Sequence, residues 1–157
     1  MRLTYNMLEE YVMKMYQSIG IYHPHQLDIE DISSRLGMVI VYMPAKSFNV
    51  ENLIVLDERN SDTEQWQDFG HELCHALMHI GNQNRMPLPF RLYQEWKASN
   101  FSLHACIPTF MLDKMELPES EAKAVNMIHE TFGVEYSFAK KRLDQYLRNR
   151  IVSLNAY

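Results

Sequence analysis

Cysteine is scarce in this chain, with only Cys74 and Cys106 among 157 residues. Their spacing lacks the paired pattern of a disulfide framework or a thiolate zinc site, so two reduced, buried thiols are expected. No stretch approaches the roughly 18 to 20 uninterrupted apolar residues that a spanning helix needs. The N-terminus MRLTYNMLEEYVMK carries acids where a secretory leader is apolar, which points to the cytoplasm and to no membrane association. An excess of basic charge is missing too. A net charge of -5 opposes nonspecific attraction to a phosphate backbone, although basic residues gather near the C-terminus. There is no internal repeat, low-complexity segment or linker long enough to divide domains. At 157 residues and 46% apolar content, the chain reads as a single domain over 1–157.

Hydrophobic spacing predicts an α+β fold. Met7, Leu8, Tyr11, Met15 and Ile19 recur at helical intervals over 7–19, and Gly20 follows as a stop. A second short helix is expected over 27–36, with Asp28 as cap and Gly37 closing it. Two short runs dense in Val and Ile, 38–43 and 52–56, predict a small antiparallel sheet. Ser61-Asp62-Thr63-Glu64 reads as a capping box that opens a helix running to about Ile80, where Gly81-Asn82 ends it. Another helix spans about 90–107 and stops at Pro108. From Leu117 onward, about 117–157, the chain reads as a helical C-terminal part of two helices joined near Gly133.

The chemistry lies in the third helix. His71-Glu72-Leu73-Cys74-His75 is an HExxH sequence. Residues four apart lie about 40° apart around a helix, so both imidazoles project to one side and can reach one metal. Shuffling this composition gives roughly 0.03 such motifs per chain, which makes chance a poor explanation. Trp66, Phe69, Gly70, Leu73, Leu77 and Ile80 form one apolar stripe, while Glu64, Asp68, His71, His75 and His79 line the opposite side. A solvated face is the usual fate of an isolated His; here spacing, capping and facing agree on a metal site instead.

Catalytic zinc takes three protein ligands and leaves a position for water. His79, His104 and Glu95 compete for the third place. The metzincin pattern fails, because Gly81 stands where its third histidine belongs and Met78 where its glycine belongs. His79 extends the histidine row to about 12 Å, too long for a ligand shell near 2 Å. Glu95 shares a helical face with Ser99, Ser102 and Cys106, small residues that allow close approach of two backbones. His104, nine residues later, lies about 180° away. Glu95 is preferred, against the alternative that it is one more exposed acid.

At this point the chain resembles the ImmA/IrrE metallopeptidases, in particular the short anti-repressor peptidases of phages and mobile elements. Besides HELCH, the family pattern Glu-x-x-Ala-Asn-x-Phe-Ala, followed by Pro, is similar to Glu95, Ala98, Ser99, Phe101, Ser102 and Pro108, with Ser99 replacing Asn and Ser102 replacing Ala. Phe132-Gly133-Val134 and Arg142-Leu143 are similar to C-terminal elements of the family, with Glu135 in place of Ser. The resemblance implies a zincin-like fold, Zn2+ held by His71, His75 and Glu95, and Glu72 as catalytic base. It also implies a helix-turn-helix transcriptional repressor as protein substrate. The few residues before the first helix suggest the form without a fused DNA-binding segment.

The expected reaction is peptide hydrolysis, in which zinc activates water and polarises the scissile carbonyl while Glu72 carries the proton to the leaving amine. Asp68 is a candidate to orient a ligand imidazole, or is simply an exposed carboxylate. Tyr93, His104, His129 and Tyr136 are all candidates for stabilising the oxyanion, and spacing selects none. The alternative is a non-cleaving, zinc-stabilised anti-repressor, although an intact Glu72 argues for hydrolysis. Direct DNA binding through 125–150 ranks lower, since Glu130, Glu135 and Asp144 interrupt the basic residues there. Phe110, Met111, Leu112 and Met115 are expected in the core rather than on a partner surface.

Overall fold

The computed structural model describes residues 4–78 and 87–155. In chain order the elements are α1 (Met7–Ser18), a 3-10 turn (Pro24–Gln26), α2 (Ile29–Leu36), β1 (Val39–Met43), β2 (Phe48–Val50), β3 (Leu53–Asp57), α3 (Asp62–Met78), α4 (Leu88–Cys106), α5 (Thr109–Leu112), α6 (Glu121–Phe132) and α7 (Tyr136–Asn155). This is the expected α+β class. The expected end of the HExxH helix at Ile80, its Gly81-Asn82 stop and the position of His79 lie outside the described residues. The elements form two compact units, one of Asp28–Leu103 and one of Met1–Leu27 with His104–Tyr157.

The first unit holds the sheet and the motif helix. Asp28 caps α2 by accepting from the Asp31 amide at 2.8 Å, and Gly37 ends it at φ 75°, a left-handed conformation that glycine adopts without a Cβ penalty. The sheet has the order β1-β3-β2. It is mixed rather than antiparallel throughout: β1 runs parallel to β3, from Val39 opposite Leu53 to Met43 opposite Asp57, and β2 is antiparallel to β3, with Phe48 opposite Val55. The reason is the three-residue β2, too short to stand out as a periodic run. It reverses the chain between the two longer strands, so they enter the sheet in the same direction. Ile54, Val55 and Leu56 of the central strand are buried, and α3 packs over β2 and β3.

The second unit is helical. Asn6 and Glu9 form a reciprocal capping box at the start of α1, each side chain accepting the other's backbone N–H at 2.8 Å. Tyr16 is fully buried and donates its hydroxyl to the Ala105 carbonyl at 2.6 Å, which satisfies a polar group that would otherwise be costly inside. Gly133, at φ 66°, closes α6 as the expected joint before α7. Arg142 of α7 is completely buried, donating from Nε to the Ile107 carbonyl at 3.0 Å and from Nη2 to Thr109 Oγ1 at 2.7 Å. Thr109 in turn donates to Glu9 at 3.1 Å, so the buried cation and the buried carboxylate are linked through one hydroxyl. Phe110, Met111 and Leu112 are core residues as expected, in the short α5, which the sequence pattern did not reveal. No helix among the described residues is long and apolar enough to cross a membrane.

Candidate metal centre

Helix α3 begins where Ser61 accepts the Glu64 amide at 3.2 Å, as the capping pattern predicts. Trp66, Phe69, Gly70 and Leu73 bury the expected stripe of this helix. The opposing side carries His71 and His75, whose rings meet edge to face with centroids 5.0 Å apart. Helix α4 approaches through small residues: Ala98 and Ser102 are buried, and Ser102 donates to the Gln67 carbonyl of α3 at 2.7 Å. That close backbone approach brings Glu95 to the histidines.

The Glu95 carboxylate bridges the two rings, with Oε2 at 2.8 Å from His71 Nε2 and Oε1 at 2.9 Å from His75 Nε2. The ligand atoms of the three residues all lie within 4.8 Å of one another, a group that could hold a metal ion. Its donors fit zinc on an independent measure. The two Nε2 atoms are 3.3 Å apart, which matches the edge of a tetrahedron with metal–nitrogen bonds of about 2.0–2.1 Å. Two imidazoles and one carboxylate are also one of the donor sets that catalytic zinc uses. Side-chain exposure grades across the group, 9% for His75, 24% for His71 and 44% for Glu95, so the cluster opens toward solvent on the Glu95 side. Burial lowers the His75 pKa below the ordinary imidazole range, which favours the neutral form needed for coordination.

Glu72 is buried beside this cluster on α3. Desolvation, then the nearby carboxylates of Glu95 and Asp68, push its pKa up to about 8 against the opposing charge of Lys46. Asp68 is held elsewhere than on a ring: its Oδ2 accepts from Ser47 at 3.1 Å and from Asn60 at 2.9 Å. Ser99 Oγ lies 3.4 Å from His71 Nδ1. Sequence reasoning gave Ser99 no such contact, although its position four residues after Glu95 puts it on the same face. His104 is outside the cluster and deeply buried, in agreement with its place on the helical wheel. Tyr93 is exposed on α4 and stacks on Trp96, while His129 meets Tyr136 edge to face in the helical unit.

Residues 33–144 match the peptidase family described as the IrrE N-terminal-like domain. The chain belongs to this family. The match runs from within α2 through α3 and α4 into α7, and it bears out the ImmA/IrrE resemblance carried by HELCH and the Glu95 segment. Among curated relatives, the chain is 43% identical over 147 residues to the phage-like element PBSX protein XkdA of Bacillus subtilis (strain 168), covering 91% of this chain and 74% of that one. It is 39% identical over 152 residues to YqaB of the same strain, covering 94% and 88% respectively. No solved structure gives a significant match. An IrrE-like peptidase domain in which three converging side chains could hold a metal ion is therefore the setting in which Glu72 must be read.

Proposed function

We propose that the protein is a cytoplasmic, zinc-dependent endopeptidase that relieves repression by cutting a helix-turn-helix repressor of a phage or mobile element at one site. The observation that carries this reading is the convergence of His71, His75 and Glu95 beside the buried carboxylate of Glu72, in a member of a peptidase family. The phage-like element named for one relative supports the setting. His71 and His75 present imidazole nitrogens from one helical face, and Glu95 completes the ligand set from α4. A zinc ion held by these three side chains would supply a Lewis acid for the scissile carbonyl and would lower the pKa of bound water toward neutrality.

Glu72 is the proton carrier. It follows the first ligand directly, lies on the same helix and is not among the three groups that converge. A carboxylate at this position can take a proton from water and return it to the departing amine. Of the five basic residues in 140–150 three are already engaged, Arg142 by burial, Arg150 with Asp113 and Lys140 with Glu121 and Asp144, while Lys141 and Arg148 are exposed. That supports a protein partner over a nucleic acid.

The test is coexpression of the protein with a repressor encoded beside it, read by intact mass. Wild type should shorten the repressor at a single bond, and the Glu72→Gln variant should leave it full length while still binding it and retaining zinc. Equal relief of repression by both proteins, with the repressor intact, would replace the peptidase by the non-cleaving, zinc-stabilised anti-repressor.

A further inference from the structure

Helix α4 meets the His71 imidazole at both of its nitrogens. Glu95 and Ser99 are one turn apart, so their side chains project to the same side of the helix. Glu95 Oε2 lies 2.8 Å from His71 Nε2, and Ser99 Oγ lies 3.4 Å from His71 Nδ1. Since Nε2 is also 3.3 Å from His75 Nε2, it is the nitrogen that faces the cluster, and Nδ1 is the one left to Ser99.

The geometry points to Ser99 as a positioning residue, whose hydroxyl oxygen accepts a hydrogen bond from His71 Nδ1 and so holds the ring in the tautomer and orientation that turn the Nε2 lone pair toward the metal. This rests on the metal-centre reading above. A neutral imidazole carries one proton, and an acceptor at Nδ1 keeps it there. The need is acute at this site. Without that acceptor, the proton can sit on Nε2 and donate to the Glu95 carboxylate 2.8 Å away, an arrangement that takes the lone pair from the metal. Partners of this kind on ligand histidines typically matter for affinity by about 10- to 100-fold.

Ser102 provides an internal contrast. Three residues further along α4, its hydroxyl donates to the Gln67 carbonyl at 2.7 Å, a tie between the two helices that is made to backbone rather than to an imidazole. A structural role for Ser99 would make the two serines equivalent, and a positioning role makes them different.

The experiment measures zinc affinity of the full chain by competition with a chromophoric chelator for wild type, Ser99→Ala, Ser99→Asn and Ser102→Ala. It also looks for a hydrogen-bonded His71 Nδ1–H resonance in the zinc-loaded wild type. Ser99→Ala should bind zinc about tenfold more weakly, and Ser99→Asn, whose amide oxygen is also an acceptor, should recover most of the loss. Ser102→Ala should lower thermal stability while leaving zinc affinity near wild type. Unchanged affinity in Ser99→Ala, or equal losses in Ser99→Ala and Ser102→Ala, would overturn the proposal. If Ser99→Ala fails to fold, the wild-type resonance decides, and its absence overturns the proposal. Failure of wild type itself to hold one zinc per chain would instead overturn the metal-centre reading beneath it.

Discussion

Glu95 Oε2 lies 2.8 Å from His71 Nε2 across 24 residues of sequence, joining two helices at one point. That contact separates the ligand candidates. Alanine at His71, His75 or Glu95 should each reduce zinc affinity by more than about 100-fold, beyond the range seen for partners that only orient a ligand. His104→Ala should keep the metal, because His104 lies outside the cluster. Zinc per chain after dialysis checks this. A metal-free His104→Ala beside a metal-loaded Glu95→Ala would remove Glu95 from the ligand set.

Glu72 should cost the metal-free fold stability. An acid with a raised folded-state pKa binds its proton longer when folded than when unfolded. Stability therefore falls as pH rises from the ordinary carboxylate value near 4.5 to about 8, and levels above that. Glu72→Gln removes the fall. In chelator at pH 7.5 the variant should be more stable than wild type by about 1 to 3 kcal/mol, with the gain shrinking toward pH 4.5. Denaturant melts at several pH values measure it, and a pH-independent difference would show that Glu72 is not desolvated as the structure has it.

The motif helix and its cap were legible because the spacing of His71 and His75, the apolar stripe through Phe69 and Leu73, and Ser61 at the start are all local signals. Glu95 was legible for a related reason: the small residues Ser99, Ser102 and Cys106 on its face announce close packing, and close packing is what lets a short carboxylate reach across. The sheet was only half legible. Phe48–Val50 is too short to show a period, and without it the direction of β1 relative to β3 could not be inferred. The contact from Ser99 to His71 depends on how two helices lie against each other, which spacing along either helix does not contain. Asp68 shows the same limit, since its partners Ser47 and Asn60 come from loops outside α3.

Both thiols should be silent in the native protein. Cys74 and Cys106 are buried thiols outside any disulfide, and burial above all pushes the Cys74 pKa up to about 12. At pH 8 its thiolate fraction is then on the order of one in ten thousand, and the thiolate is the reactive form. Alkylation should label neither cysteine in the native state and both after denaturation, with no cross-link. Cys74→Ser should preserve turnover, since the sulfur contributes nothing to the ligand set. Rapid native labelling of Cys74 would mean that α3 opens at its metal-binding turns.

His104 should make the protein sensitive to acid. Its side chain is buried, and both ring nitrogens lack a hydrogen-bond partner among the described residues. Desolvation first, and the nearby Arg142 guanidinium second, hold its pKa well below the ordinary value of 6.5. Here the unfolded chain takes up the proton that the folded chain refuses. The stability contribution is thus intact above about pH 6.5 and is lost as pH falls below it, until the folded-state pKa is reached. Burial shifts His75 in the same direction, so the informative quantity is the difference between wild type and His104→Phe at each pH. With chelator present throughout, lowering the pH from 7 to 5 should cost wild type more stability than the variant, by at most about 1.4 kcal/mol per pH unit for one proton. Parallel pH profiles for the two proteins would mean that His104 gains a partner or becomes hydrated in solution, and that Arg142 does not oppose its protonation.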